Sequence, residues 1–486
     1  MAVNDELGVF LNTGILAARA HDLGRLIQHQ ENILTQFLDA GFVPKACAAI
    51  LANELDRYPY LTGLFDVASV AAGGCIASQA LLYDFHQDRG LWSFACSQAG
   101  SELAAQSIQA GDIEQVGAGL RHALQKNDWQ LLAEQLGAPR LLECSHTDVG
   151  APLAWPAFDG PGIQRLEHAS LLISSETTRL LIDPISLAIG GNVGLPDLDL
   201  APSNLAYPVD GILVSHGHLD HWHIPTILRH GGDGSVPVIV PHIPVASLLS
   251  QDDMRQSLAD VGQTVMAPAW GDTVHIGDIA IDILPFYGEQ PTIGASSAPY
   301  GVRNWGNCYR VTTPQFSVIL LVDSGSDAMG SVMDVLERSL EKRGPPDLLL
   351  SCCREMTKAP FWQGLFTFWL TLPMTELQKL AKQQVEKSLA SITLGPDGIA
   401  EACLRFGIGK FAPYANGFCG IGKAIHDIGW GNDEPSEAEV VQRICTRIDE
   451  AGGKTEVVAW LPGDVIRFAD GKARIGTIAE RGGRYD

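Results

Sequence analysis

Val214-Ser215-His216-Gly217-His218-Leu219-Asp220-His221-Trp222-His223 is the stretch on which the reading of this 486-residue chain turns. Its working residues are His216, His218, Asp220 and His221, which directly follow the apolar run 211–214. Imidazoles and a carboxylate on the loop after a buried strand are what a metal site of N and O ligands requires. In extended chain, residues two apart point to one side, so His216 and His218 can grip one ion together. Asp220 and His221 then face a second ion, and the loop reads as a binuclear metal site. A solvated, His-rich loop is the alternative, but a turn-forming Gly between two His, followed by an Asp-His pair, is a specific combination.

This His-x-His-x-Asp-His pattern resembles the metallo-β-lactamase fold superfamily, and its flanks agree. Residues 163–184 (IQRLEHASLLISSETTRLLIDP) read as two alternating strands joined by a turn, similar to the opening hairpin of the branch with phosphodiesterase and lactonase-type members. The resemblance runs from about Ile163 to about Phe418. It implies an α/β fold: a metallo-β-lactamase-like αββα sandwich over 151–486, preceded by a helical N-terminal domain over 1–150.

The resemblance also implies further ligands. Where the superfamily normally has a His for the first ion, after Pro285-Phe286-Tyr287-Gly288, this chain has Glu289, and no His occurs between His275 and His426. A carboxylate in this place is similar to the di-iron hydroxylase branch of the chloramphenicol-assembly type. Asp323, at the end of the apolar run 316–322, matches the carboxylate that bridges the two ions. The last His of the superfamily is missing, because the matching tripeptide is Pro413-Tyr414-Ala415. His426, the one His after Asp323, is the candidate replacement, with Tyr414 or Asn416 as alternatives. Asp220, Glu289 and Tyr414 are the residues expected to bear on catalysis as well. His168 is either a His near the metals or a structural residue inside the first strand. Asp183 reads as a turn carboxylate, His223 as support behind the ligands, and His242 as a residue near a strand end.

Composition narrows the function classes. A chain of this length exceeds one ordinary core, so two domains, or one with large additions, are expected. With 33 Lys+Arg against 56 Asp+Glu the formal charge is −23, which repels nucleic acid and argues against a nuclease. Hydrophobic residues at 46% and charged ones at 18% mark a globular protein. The ten cysteines, scattered except for Cys352-Cys353, make neither a disulfide framework nor a metal clip. Asp5 and Glu6 replace the basic start of a signal peptide, so a cytoplasmic protein is expected. The most apolar run, 361–373, falls short of the ~20 residues a spanning helix needs, and no membrane association is expected.

Segments 24–40, 45–55 and 113–125 carry helical spacing, with Pro44 and Pro59 as breaks. Such a domain could form a homodimer, recognise a partner or roof the site. Gly150 to Gly162 reads as a linker. Residues 352–391 depart from the superfamily with an aromatic stretch (Phe361, Trp362, Phe366, Phe368, Trp369) and an amphipathic helix over 375–389. Those aromatics could line a pocket, though filling a core is their commoner use.

Two enzyme readings use one ligand set. Zinc, or manganese, would deliver hydroxide to an ester, lactone, amide or phosphodiester. Iron would activate dioxygen, with an electron donor, to hydroxylate a substrate. Glu289, Asp220 and Asp323 beside three His make the set rich in hard oxygen donors, which tilts the reading to two irons. A non-catalytic metal-binding protein is the third possibility. The acidic surface favours a free small molecule over an acidic carrier protein as substrate.

Overall fold

Short apolar runs bounded by turn residues become strands here, because strands covered on both faces read as continuous hydrophobic segments and not as alternation. The computed structural model describes residues 7–13, 32–83, 90–98, 101–146, 158–166, 168–185, 205, 208–250, 253–288, 302–327, 329–356, 368–417, 435–469 and 472–476. An N-terminal antiparallel sheet contains β1 (Leu7–Thr13), β2 (Leu91–Gln98) and β3 (Ser101–Gln109) in that order.

The first large sheet takes β4 (Gly162–Arg165), β5 (Leu171–Ser174), β6 (Arg179–Ile182), β7 (Gly211–Leu213), β8 (Val238–Ile239) and β9 (Val265–Met266). The second takes β10 (Thr273–Ile276), β11 (Ile279–Pro285), β12 (Asn307–Thr312) and β13 (Ser317–Leu320). A small separate pair, β14 (Ser326–Asp327) and β15 (Gly330–Ser331), follows. The second sheet then adds β16 (Leu348–Ser351), β17 (Lys410–Pro413) and β18 (Glu456–Val457). The chain returns to the first sheet with β19 (Val465–Ala469) and β20 (Lys472–Gly476). The orders are β20-β19-β4-β5-β6-β7-β8-β9 and β10-β11-β12-β13-β16-β17-β18. Neighbours from β6 to β9, and from β13 to β18, run parallel.

One core lies between the sheets and under the helices of the second: Ile173, Ile182, Leu213, Ile281, Leu320 and Leu349 join Leu336, Ile399 and Ile444. These last three belong to the helices Val332–Arg343, Gly395–Phe406 and Glu437–Glu450. The last helix begins with a reciprocal capping box between Ser436 and Glu439, as its Ser-x-x-Glu pattern dictates.

The elements correct two expectations and bear out a third. Residues 163–184 form three strands, not two, and His168 lies in the turn after β4. Pro44 falls at the expected break, starting the helix Pro44–Arg57 from its first turn, where a missing N–H costs nothing. The N-terminal region is not helical throughout, since it carries the sheet β1-β2-β3 beside its helices; the Ala- and Ser-rich β2 and β3 hide the alternation that marks a strand.

That N-terminal sheet shares a core with the first large sheet. Val9, Trp92, Phe94, Leu120 and Trp129 pack with Leu172, Leu181, Ile212, Trp222 and Ile227. The helix Ile224–His230 is capped by His223, whose Nδ1 accepts from Thr226 N. The His223 Nε2 lies 2.9 Å from the Val9 carbonyl, so this residue ties the metal loop to β1 and does not back the ligands. A further core joins Phe37, Phe42, Leu51 and Leu81 to Leu248, Val302, Trp369 and Leu377. Trp369 is fully buried and edge-on to Phe37, with ring centroids 6.0 Å apart, so it fills a core. Phe361, Trp362 and Phe366 lie outside the described residues, as does the side chain of Phe368.

The nine cysteines among the described residues are free. No helix among them is long and apolar enough to cross a membrane. Trp369→Ala is expected to destabilise the chain by ~3–5 kcal/mol through the cavity it leaves. Urea unfolding followed by tryptophan fluorescence checks this, and a loss below about 1 kcal/mol would remove Trp369 from the core.

Candidate metal centre

Loops leaving the carboxyl ends of parallel strands are where open α/β sheets gather functional groups. Here Asp183 follows β6, residues 215–221 follow β7, Asp323 follows β13, and Tyr414 follows β17. His168 reaches the same place from the turn between β4 and β5. The side chains meet in two adjoining groups, His216, His221 and Asp323 in one, and His168, Asp220 and His221 in the other.

The separations are those of ligands around a shared cation. With metal–nitrogen bonds of ~2.0–2.1 Å at a tetrahedral angle, two ligand atoms lie about 3.3 Å apart. His216 Nε2 is 3.1 Å from His218 Nδ1, and His168 Nε2 is 3.3 Å from His221 Nε2 and 3.1 Å from Asp220 Oδ2. Asp323 Oδ2 lies between the groups, 3.0 Å from His221 Nε2 and 3.9 Å from His216 Nε2. His216 and His221 are fully buried.

A hydrogen-bond network behind the rings sets their tautomers. Asp183, read from sequence as a turn carboxylate, is fully buried and does this work instead. It accepts from Ser215 N at 2.6 Å, from Ser215 Oγ at 2.6 Å and from His221 Nδ1 at 2.9 Å. Because the Ser215 hydroxyl proton is used on Asp183, Ser215 Oγ accepts from His216 Nδ1 at 3.0 Å. Both rings therefore carry a proton on Nδ1 and turn Nε2 to the site, as carboxylate-oriented metal histidines do.

Electrostatics separate the two rings. Burial, followed by the neighbouring His221 and His218, holds the His216 pKa well below an ordinary imidazole's, so the ring is neutral. Burial also lowers His218. On His221 burial opposes charge, but Asp220, Asp323 and the bond to Asp183 outweigh it and hold its pKa well above the usual value. Burial opposes charge on Asp220 too, yet His221, His168 and His218 keep it ionised. The carboxylates thus call for positive charge between them. Asp323 Oδ1, moreover, is buried with no hydrogen-bond partner among the described residues, an omission that costs roughly 1–3 kcal/mol unless a cation satisfies it. The donor set fits a metal pair.

Backbone strain collects here as well. His168, Asp183, Val322 and Ala415 have φ of 50°, 40°, 54° and 59°, in the left-handed region. Each costs of order 1–3 kcal/mol in a residue with a Cβ. Two of the turns clasp each other: Ala415 N donates to the His168 carbonyl at 3.1 Å and Gly417 N to His168 Nδ1 at 3.2 Å. With Nδ1 accepting the second bond, a proton sits on Nε2, which faces Asp220.

The structure therefore brings together His216, His218, Asp220, His221 and Asp323 from the sequence reading, and adds His168 and Asp183. Both additions are polar residues at the ends of apolar runs, a signal that pointed to them but did not separate ligand from turn. Glu289 and His426 lie outside the described residues. Asn416 is engaged elsewhere, its Oδ1 accepting from Cys353 N at 2.8 Å and its Nδ2 donating to Glu437 Oε2 at 2.8 Å, so it is not a ligand. His242 is exposed. Tyr414 is fully buried, its hydroxyl has no hydrogen-bond partner among the described residues, and burial followed by the charges of Asp183 and Asp323 pushes its pKa well up.

Comparison with known proteins matches residues 178–351 to the β-lactamase superfamily domain. No curated protein sequence matches. Among solved structures, CmlA, a diiron β-hydroxylase from Streptomyces venezuelae, is similar over 93% of this chain and 97% of that one, at 15% identity and a TM-score of 0.55. A mutant of the same β-hydroxylase gives a TM-score of 0.56 at 15% identity, over 93% of this chain and 98% of that one. A possible metal-dependent hydrolase from Veillonella parvula is similar over 64% of this chain and all of that one, at 13% identity and a TM-score of 0.40. The chain has the metallo-β-lactamase fold, in an arrangement that extends over nearly the full length of CmlA.

Tyr414→Phe is expected to leave the metal-free chain as stable as the parent or to stabilise it by on the order of 1 kcal/mol, since it removes an unsatisfied buried hydroxyl. A shift of the urea midpoint in the other direction, by a comparable amount, would show that the phenol is bonded in solution.

Proposed function

We propose that this chain of the metallo-β-lactamase fold is a non-haem di-iron oxygenase that hydroxylates a free small molecule. What carries the reading is the convergence of buried, tautomer-fixed imidazoles and carboxylates on two adjoining centres, with an unpartnered Asp323 oxygen among them. His216, His218 and Glu289 would hold the first iron. Asp220 and His221 would hold the second, and Asp323 would bridge. His168 closes the second centre in preference to His426, because its Nε2 already lies 3.1 Å from Asp220 Oδ2. Ligation there requires the ring to give up its bond from Gly417 N.

When bound, an iron pair with an external two-electron donor activates dioxygen, so that one oxygen atom enters a C–H bond and the other leaves as water. The chain's own residues prepare for this by holding the site rigid. Asp183 and Ser215 fix the rings of His221 and His216, and the Phe286 ring stacks on His216 with centroids 5.2 Å apart. Fold likeness to a diiron β-hydroxylase over 93% of the chain, N-terminal part included, supports oxygenation.

One observation favours a second reading. With His168 at the centre the described donors are four imidazoles to two carboxylates, a balance that also suits zinc in a binuclear hydrolase. Metal analysis of the purified chain separates the two. Two irons per chain with dioxygen-dependent product formation are expected. Two zincs or manganese ions with ester, lactone, amide or phosphodiester turnover would replace the oxygenase reading with the hydrolase.

Three variants extend the test. Asp323→Ala is expected to lose both ions together; retention of one with an unchanged spectrum would refute bridging. Asp183→Ala should weaken metal binding by roughly 10- to 100-fold, as loss of an orienting partner does. Glu289→His should keep two ions but shift preference from iron to zinc, and an unaltered iron content and reduction potential would make Glu289 a bystander.

A further inference from the structure

Arg303 is 4% exposed and sits among three aromatic rings, its guanidinium carbon 5.6 Å from the centroid of Trp270, 5.5 Å from Tyr287 and 5.0 Å from Trp305. Its Nη2 donates to the Phe286 carbonyl at 3.1 Å and to Asp327 Oδ2 at 2.8 Å. The same carboxylate oxygen accepts from Gly288 N at 3.1 Å. One ion pair therefore fixes residues 286–288, the segment that leads into Glu289. Its own backbone is pinned too: Ser250 Oγ donates to the Arg303 carbonyl and accepts from Trp305 N, both at 2.9 Å.

Both fixed segments touch ligands. Phe286 lies face to face with the His216 ring, at an interplanar angle of 26°. Asn304 Nδ2 is 3.4 Å from His218 Nε2. Gly306 is pressed so closely between them that a Cβ there would lie 2.8 Å from the Phe286 ring and 3.0 Å from His216 Cβ. Stability alone does not account for this arrangement. A buried ion pair generally adds little to stability compared with apolar residues of like size. Here, in addition, the Nε and Nη1 of Arg303 have no hydrogen-bond acceptor among the described residues, which makes the residue a costly way to fill a core. What the guanidinium does that an apolar chain cannot is to fix, from one planar group, the carbonyl of Phe286 and the carboxylate that holds Gly288.

We propose that Arg303, paired with Asp327, is a positioning residue for the first metal centre: it sets the wall of Phe286, Asn304 and Gly306 against which His216 and His218 are oriented. The inference rests on the binuclear reading above. It assigns Arg303 no contact with substrate, since its guanidinium is sealed beneath the aromatic rings. It also makes the two centres unequal, because neither Arg303 nor Asp327 bonds to Asp220, His221 or His168 among the described residues.

The test is a titration of the full-length, metal-stripped chain with cobalt(II), read by visible absorption and by competition with a chelator. The parent is expected to bind two ions. Arg303→Lys keeps the charge but loses the fork, and Asp327→Asn keeps the shape but loses the charge. In each, one ion should bind at least tenfold more weakly with an altered ligand-field band, while the other retains its parental affinity. A merely structural role would lower the melting temperature of the metal-free chain and leave both bands and affinities as in the parent, which overturns the proposal. Equal weakening of both ions overturns it too. Should Arg303→Lys fail to fold, Asp327→Asn decides alone. A parent that binds no cobalt defeats the binuclear reading, and this inference with it, on a measurement separate from the variants.

Discussion

A carboxylate held entirely out of water governs the rest of the site. Asp183, at 0% exposure, has its oxygens satisfied by Ser215 N, Ser215 Oγ and His221 Nδ1, from all of which it accepts. Those bonds decide which nitrogen of His221 carries the proton and, through the Ser215 hydroxyl, which nitrogen of His216 does. Two Nε2 atoms are thereby aimed at one place before any cation arrives. The arrangement is pre-organised, so that binding a cation need not also order its ligands.

Pre-organisation has a structural cost, and the fold carries it in the turns beneath the site. His168, Asp183, Val322 and Ala415 each sit in the left-handed region, where a Cβ is crowded. Such conformations persist only where the surroundings over-determine them. Val322 leaves the buried strand β13 and its carbonyl accepts from Cys352 N at 2.9 Å; Asp183 N donates to the Leu213 carbonyl at 2.8 Å. Parallel strand pairing continues through Val322 and Asp183, and the core between the sheets, with Leu213, Leu320 and Leu350 wholly buried, leaves these two no room to relax.

Legibility from sequence followed the same physics. The metal loop could be read because its periodicity, two His on one side and an Asp-His pair after a buried strand, is local. Asp323 could be read because it ends an apolar run. His168 and Asp183 were ambiguous because their roles come from contacts across the fold: His168 meets Gly417 from 249 positions away, and Asp183 meets His221 from 38. His223 was misplaced for the opposite reason. Its neighbours in sequence are ligands, but its ring turns to Val9, 214 positions away, a contact no local pattern encodes. The sheet β1-β2-β3 was missed because small Ala and Ser residues, on both the buried and the open face of β2 and β3, blur the hydrophobic alternation that marks a strand.

That contact between His223 and Val9 also gives the N-terminal region a part in the site. The metal loop is fixed at one end by β7, whose Leu213 pairs with Ile182 and Ile239. Its other end is the helix Ile224–His230, whose Ile224, Ile227 and Leu228 pack in the core that Val9, Leu11 and Trp92 complete. Without that core the helix would have an apolar face against water and the loop a loose far end. The N-terminal residues thus act on the ligands by holding the loop's exit, at a distance from any ligand atom. Rigid elements at both ends hold a constellation more closely than a free loop can, which is the condition a site of fixed tautomers needs.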